Sequence, residues 1–535
     1  MKHLFYIVCI CLGSAVNSVA QDYYFVKLTD KANSLYSLAN PSAFLSTRAI
    51  ARRVAHNCAI DSMDLPINSS YISMIQSVGV SIYHCSKWFN AVTVVVQNPV
   101  QLNALLALPC VASVELTWSK PSAGFISGIS YRKSILQAAE NSYGATLTQT
   151  TMLSLQNLHN LGFRGRDMVV AIMDVGFQNV DQITAFDSLR LGGRLLGTHD
   201  FVTPGGSVFD QGTHGTMVLS TMAGNLPNQF LGTAPDASYW LFRTEDEEYE
   251  SRLEIDNWVA ALEQADSAGV DVVNTSLGYT EFDDSSQNFT YADLNGRTAR
   301  NSLAAVYAAR RGMLLVNSAG NEGDDSWHYI STPADADSVL TVGSVSANRL
   351  ISTFSSFGPT ADNRIKPDIC AMGTNSALIN VFGQIAYASG TSFSGPIMAG
   401  AATSLWQALP TQTNVALMEL IKSHADRYTS PDNQYGFGIP DVWASFNSVV
   451  SNHEVMSRNE PIRYYPNPVS NVLFIETTDF NQCHQIFSIS DICGRQVFVT
   501  TSIPQQVDMT HFEPGIYIVT ISGDSFRMTR KIIKQ

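Results

Sequence analysis

Cysteine is scarce in this chain of 535 residues: there are eight, and none sits in a CxxC or another metal-ligand spacing. That excludes a disulfide scaffold and a zinc ribbon. Positive charge is also short. Lys+Arg number 32 against 46 Asp+Glu, for a formal net charge of −14. A basic stripe that would neutralise phosphates is therefore missing, and nucleic acid is not an expected partner. Beyond the N-terminus no apolar run is long enough for a transmembrane helix. Tandem repeats and low-complexity tracts are absent, and 45% apolar with 15% charged residues excludes collagen, long coiled coil and wholesale disorder. What is left is a globular chain with length for roughly three to four domains.

The N-terminus reads as an address. Lys2 and His3 precede an apolar run from Leu4 to Leu12, and Ser18-Val19-Ala20 offers small residues where a signal peptidase reads. This predicts a signal peptide over 1–20, cut before Gln21. Cys9 and Cys11 follow Val8 and Ile10, not the small residue that precedes a lipidated cysteine, so release is expected. Six cysteines then remain: Cys58, Cys85, Cys110, Cys370, Cys483 and Cys493. The last two are near enough in sequence to pair, which sequence alone leaves open.

Three segments follow. Over 22–118, strand-like Tyr23–Leu28, helical Tyr71–Val78, strands Val80–Cys85 and Ala91–Gln97, helical Val100–Leu108 and strand Val111–Trp118 give the order β-α-β-β-α-β. That is the ferredoxin-like motif, with an extra helix over Ala43–His56. A Ser/Gly/Lys-rich linker covers 119–145. From about 150 to 450, nearly all-apolar strands (Met168–Met173, Ser238–Phe242, Val270–Thr275, Met313–Asn317, Val339–Val345) alternate with helices such as Leu253–Ala268 and Thr298–Arg311. Continuous apolar strands between helices predict a parallel sheet covered on both faces. After a polar linker at 451–463, short strands at Val472–Glu476, Gln485–Ile489, Gln496–Thr500 and Ile516–Ile521, separated by turns, predict a small all-β sandwich.

Three stretches of the middle segment carry chemistry together. Val169 to Gly176 places Asp174 at the end of a buried strand, the edge where α/β sheets hold their sites. Gly212-Thr213-His214-Gly215-Thr216 opens a helical stripe, so His214 lies at or near a helix start. Gly390-Thr391-Ser392-Phe393-Ser394-Gly395-Pro396 precedes another helix; Pro396 suits a first turn, which puts Ser392 just before it. A hydroxyl, a base and an orienting carboxylate are what acyl transfer needs. Each stretch alone has an ordinary reading as a turn, a packed histidine or a loop; the combination in one α/β domain is far more specific.

The chain order Asp174, His214, Ser392 with these flanks resembles the subtilisin-like serine protease family over residues 145–450. The resemblance implies a subtilisin-like parallel sheet with helices on both faces, and a serine endopeptidase acting on protein or peptide substrates. In Asn317 to Gly323 it assigns Asn321 to the oxyanion hole. In Asn274-Thr275-Ser276-Leu277-Gly278 it assigns the strand that pairs with extended substrate and lines S1. Phe354 to Pro359 is another stretch familiar from the family. The first segment, 21–140, resembles the ferredoxin-like propeptide of such enzymes, with its cut expected within 119–145. Tyr465-Pro466-Asn467-Pro468, Gly515 to Val519 and Lys531 to Lys534 make 464–535 resemble the C-terminal sorting domain of type IX secretion. That implies the secretion machinery as a partner, and a protein secreted from, or attached to the outer surface of, a Gram-negative bacterium. A monomer is expected.

Two departures from the family's pattern stand out. Val175 stands where most members have Ser or Thr, so Asp174 loses a hydrogen bond; Phe393 and Ser394 replace Met-Ala after the serine, which predicts altered packing with activity kept. No cofactor is required. Related enzymes often bind calcium, and Asp283, Asp284, Asp293 and Asn295 form an oxygen-rich stretch, though without EF-hand spacing. The acidic run Glu245 to Glu250 lies, in the resembled fold, near S2 and S4, and suggests basic residues at P2 or P4. An esterase, or a catalytically silent surface binding protein on a protease scaffold, are the competing readings. The Asn274–Gly278 segment and the propeptide favour peptides over esters, and the intact Asp174, His214, Asn321 and Ser392 argue against a silent scaffold.

Overall fold

The computed structural model describes residues 21–119, 143–455, 462–477, 486–492, 494–523 and 526–535. The signal peptide, most of the first linker, and Cys483 and Cys493 lie outside them. Among the described residues Cys58, Cys85, Cys110 and Cys370 are free thiols.

The first segment builds the expected motif. Strands Asp22–Leu28, Ser81–Ser86, Ala91–Val96 and Val111–Ser119 form one sheet in which Asp22–Leu28 lies between Ala91–Val96 and Val111–Ser119, antiparallel to both. Two helices, Ser69–Ser77 and Pro99–Leu106, start on Asn68 and Asn98, whose side chains accept from first-turn N–H groups. Val26, Val92, Val94, Ile75 and Leu105 make its core. The inserted helix, Thr47–Ala55, is capped by Ser46 and carries Arg48, Arg52 and Arg53.

The middle segment is a seven-stranded parallel sheet. Its order is Ile369–Met372, Val339–Val345, Leu314–Ser318, Val272–Thr275, Val169–Asp174, Ser238–Arg243, Leu195–Asp200. Every residue of Val169–Asp174, Leu314–Ser318 and Val339–Val345 is buried, which is why these strands read as largely apolar runs and not as alternation. Leu195–Asp200 is the edge strand, half exposed and with polar Thr198, His199 and Asp200, so periodicity did not reveal it. Helix Arg252–Ala268 starts on a Ser251/Glu254 capping box and stops at Gly269 in the left-handed region (φ 88°). It lays Trp258, Val259, Leu262 and Ala265 into the core. The first segment packs on the outer face of this helix: Glu263 accepts from Ser86 Oγ (2.5 Å), the Lys87 N–H (2.7 Å) and the Trp88 N–H (3.1 Å).

One boundary differs from the sequence reading. Helix Val442–Val455 runs into the stretch read as the second linker. In the last segment, strands Ile462–Tyr465, Val472–Thr477 and Gln506–Asp508 form one antiparallel sheet, and Gln496–Thr500, Ile486–Asp491, Gly515–Gly523 and Phe526–Lys534 another. Leu473, Ile475 and Val507 of the first sheet share a core with Phe487, Ile489, Val519 and Ile521 of the second. That is a sandwich.

Candidate active site

Asp174 is the last residue of the central strand Val169–Asp174 and is fully buried. His214 is the second residue of helix Thr213–Ala223. Gly215 lets that helix reach the strand end: a Cβ there would lie 2.2 Å from the Gly176 carbonyl and 2.9 Å from Asp174 Cβ. The approach brings His214 Nδ1 to 2.8 Å from Asp174 Oδ1, which also accepts from the Val175 N–H at 2.9 Å. Asp174 Oδ2 is buried with no hydrogen-bond partner. Valine at 175 has no hydroxyl to offer it. Burial of the imidazole pulls its pKa down, but the Asp174 charge, the Asp174 hydrogen bond and Glu247 outweigh it, and the pKa is raised above 6.5.

Ser392 does not sit before its helix. The helix runs Thr391–Ala408, so Ser392 is in the first turn and Pro396 is inside. Proline has no N–H, so the Ser392 carbonyl lacks its donor four residues on. Ser276 supplies one: its hydroxyl donates to the Ser392 carbonyl at 3.0 Å. This satisfied carbonyl is what lets the helix begin earlier than proline placement suggests. First-turn N–H groups have no partner within the helix, and they point where negative charge is favoured. The Phe393 ring lies 6.0 Å from the His214 ring, so the imidazole is packed against the residue after Ser392. No hydrogen bond joins His214 to the Ser392 hydroxyl directly.

Asn321 is held from behind. Its Oδ1 accepts from the Thr391 N–H at 2.8 Å and from Thr391 Oγ1 at 3.0 Å. With the carbonyl end committed, the Nδ2 donor is the free end of the amide. Gly320, at φ 111°, turns the loop; a Cβ there would fall 2.4 Å from Glu322 Oε2 and 2.7 Å from Ser356 Oγ. Ser356, from the Phe354–Pro359 stretch, donates to Glu322 (2.6 Å) and accepts from the Glu322 N–H (3.0 Å). That stretch is therefore the buttress of the Asn321 loop. The sequence reading placed Ser276 with the substrate-pairing strand and Phe393 after the serine, but it did not foresee the Ser276 bond to the Ser392 carbonyl, the Phe393–His214 ring contact or the Thr391 bonds to Asn321. Pro396, four residues after Ser392, was the available signal for Ser276.

The Asn274–Gly278 stretch divides. Asn274, Thr275 and Ser276 are buried, and Thr275 Oγ1 accepts from Trp258 Nε1 at 3.2 Å. Only Leu277 and Gly278 reach the surface. The acidic run divides too. Glu245 is buried and accepts from Tyr279 OH (2.5 Å) and Thr244 Oγ1 (2.8 Å), while Glu247, Glu248 and Glu250 are exposed. The oxygen-rich stretch is spent on its own turns. Asp284 accepts from Ser286, Asp293 from Thr290, Asn295 from Arg297 and Thr298, and Asp283 from the Glu250 N–H. Among the described residues no group of three or more His, Cys, Asp or Glu is placed to hold a metal ion.

Known proteins share this arrangement of sequence. Residues 165–438 match the Subtilase family, residues 23–128 the Peptidase S8 propeptide domain of Bacteroidota, and residues 463–535 the Secretion system C-terminal sorting domain. A thermostable alkaline protease of Halalkalibacterium halodurans is 28% identical over 310 residues, covering 57% of this chain and 76% of that protein. Subtilisin BL of Lederbergia lenta is 30% identical over 288 residues, covering 54% of this chain and 93% of that protein. In fold, the chain is similar to the epidermin leader peptide processing serine protease of Staphylococcus aureus. That likeness has a TM-score of 0.54 at 18% identity and covers 80% of this chain and 99% of that one.

Proposed function

The chain belongs to the subtilase family of serine proteases, joined to an S8 propeptide and to a sorting domain of the type IX export route; on that premise we propose that it hydrolyses peptide bonds through Ser392, His214 and Asp174. The observation that carries this is the 2.8 Å bond between His214 Nδ1 and Asp174 Oδ1, which turns Nε2 outward as the base. Nε2 takes the Ser392 proton as the hydroxyl attacks the scissile carbonyl. The Asn321 amide and the Ser392 N–H receive the oxyanion. His214 then protonates the leaving amine, and water hydrolyses the acyl-enzyme. Asp174 holds the tautomer and stabilises the imidazolium. Export carries this chemistry outside the cell, as a secreted or surface-attached enzyme. The decisive test is labelling with a fluorophosphonate. The modification should map to Ser392 alone; a label elsewhere, or none on enzyme that cleaves peptide, rejects the assignment.

Asn321→Ala should lower kcat by about 10²–10³ with KM little changed, the usual loss for one oxyanion donor, for which a subtilisin is the reference case. An unchanged kcat would take Asn321 out of the mechanism. Activity needs the neutral imidazole, and the His214 pKa is raised above 6.5. The acid limb of kcat/KM is therefore expected above pH 6.5, with activity lost as pH falls through it. In Val175→Ser a hydroxyl can reach the unpartnered Asp174 Oδ2 and draw off part of its negative charge, so the acid limb should move to lower pH. A limb that stays in place in a pH-rate profile would show that Oδ2 does not set the His214 pKa.

A further inference from the structure

A cavity of about 380 Å³ opens where helix Arg300–Arg310 meets two loops, 295–297 and 362–364. That volume is within the usual range of small-ligand sites, about 300–1,000 Å³. None of the residues assigned to catalysis or to substrate lines it. Leu303, Tyr307 and Arg310 lie on one face of the helix, so an apolar wall ends on a cation. Arg297 and Arg364 bring two more guanidiniums to the same space.

Three arginines around one space are notable in a chain where Asp and Glu outnumber Lys and Arg by 46 to 32. Elsewhere arginines pair with carboxylates, as Arg52, Arg53, Arg243 and Arg311 do. Among the described residues, neither Arg297 nor Arg310 has a side-chain hydrogen bond or ion pair, and both are exposed. Arg364 is neutralised from one edge: its Nε donates to Asp362 at 2.8 Å, while its Nη1 is buried without a partner. Its Nη2 lies against Gly296, where a Cβ would stand 3.2 Å away. The Gly296 N–H in turn donates to buried Asp335 at 2.6 Å. Loop and guanidinium are thus set before any ligand arrives. With Asp337 and Asp362 counted, the lining carries a net charge of +1.

Charge and shape select the ligand. A single net charge suits one carboxylate better than a phosphate dianion, and a guanidinium fork matches the two oxygens of a carboxylate. The apolar wall calls for hydrocarbon beside that charge. We propose that this cavity binds the free C-terminal carboxylate of a peptide whose last residue is apolar, such as Leu or Phe. The proposed hydrolysis leaves a new carboxylate on the acyl half of every substrate, so the enzyme holds its own products at a site that shares no residue with the triad. Only that source of ligand rests on the triad proposed above; the site itself does not.

The test uses the full chain carrying Ser392→Ala, which cannot consume the probe, and reads binding by titration calorimetry at low salt. The probes are N-acetyl-Phe-Leu with a free carboxylate, the same dipeptide as its C-terminal amide, and inorganic phosphate. The acid should bind about tenfold or more tightly than the amide, the scale of a charge-assisted hydrogen bond. Arg310→Gln should weaken the acid by about tenfold. Asp337→Asn removes the opposing charge and should tighten it by about twofold to fivefold, a gain that a misfolded variant could not show. Equal binding of acid and amide, an acid affinity unchanged in both variants, or no binding at millimolar acid would overturn the proposal. Phosphate binding as tight as the acid would overturn it too, and make the cavity a general anion site. A fluorophosphonate label that misses Ser392 would reject the triad and leave this binding result standing, so the two readings fail separately.

Discussion

Ser392→Ala is expected to reduce peptide turnover by about 10⁶, the scale measured when a subtilisin loses its nucleophile, and to leave thermal stability unchanged. The two halves of that expectation have separate physical grounds. The rate falls because the other two hydroxyls of this helix start are committed elsewhere, Thr391 Oγ1 to the Gly320 carbonyl and Asn321 Oδ1, and Ser394 Oγ to the Thr391 carbonyl. Stability holds because the bonds that fix this helix start do not use the Ser392 hydroxyl. They run from Ser394 Oγ to the Thr391 carbonyl (3.0 Å) and from Ser276 Oγ to the Ser392 carbonyl (3.0 Å). The same variant tests maturation. Intact masses of 21–535 followed over time should show loss of the N-terminal segment in the wild type, with a cut within 119–145, and no loss in Ser392→Ala. A variant that retains turnover within tenfold would reject Ser392 as nucleophile; a variant that loses the segment at the wild-type rate would reject self-processing.

The second large effect lies far from the triad, at the carboxyl end of helix Arg252–Ala268. Asp266 is fully buried there, and each hydrogen bond to its carboxylate comes from the propeptide: Arg52 at 2.5 Å, Arg53 at 2.8 and 2.9 Å, and Lys87 at 3.2 Å. Arg53 also pairs with Asp64, which in turn binds Arg311 of the peptidase segment at 2.8 Å. Arg52 reaches the carbonyls of Val270 and Arg311, and Arg48 those of Gly269 and Asp167. One short helix thus ties down the turns that lead into strands Val169–Asp174, Val272–Thr275 and Leu314–Ser318.

Removing Asp266 leaves two arginines buried without their shared partner. Loss of one member of a buried pair costs about 3–5 kcal/mol. Asp266→Ala in the Ser392→Ala background should therefore lower the denaturation midpoint of the propeptide-bearing chain markedly. In the matured form, which lacks those arginines, the same substitution should cost little. Equal losses in both forms would show that Asp266 does not act through the propeptide. The pH dependence follows the same logic. Burial alone would raise the Asp266 pKa, but Lys87, Arg52, Arg53 and Arg311 hold it at about 2, below the ordinary 3.8. A lowered carboxyl pKa stabilises the fold above 3.8, and that contribution is lost as pH falls toward about 2. The propeptide's grip should weaken in that acid window.

The sequence by itself determined the features that are local. Buried strands appear as apolar runs because both faces of a parallel sheet are covered, so Val169–Asp174, Leu314–Ser318 and Val339–Val345 were legible within one or two residues. Asp174, His214 and Ser392 could be proposed from sequence because Asp174 ends such a strand and the other two open helices, each within two residues of a glycine. The departure at Val175 was legible too, and it corresponds to an unpartnered Asp174 Oδ2. Only the tertiary structure decided what depends on residues far apart in sequence. The strand order is one case, since parallel pairing joins strands separated by whole helices. Asn321 gains its orientation from Thr391, 70 residues on, and Ser392 its carbonyl partner from Ser276, 116 residues back. Glu245 and Glu250 look alike in an acidic run, yet one is buried against Tyr279 and the other is exposed. Arg52 and Arg53 read as surface charge on a helix until Asp266, more than 200 residues away, is folded against them. Charge placement of this kind has no local pattern, because what decides it is the desolvation and pairing of groups that only the packed chain brings together.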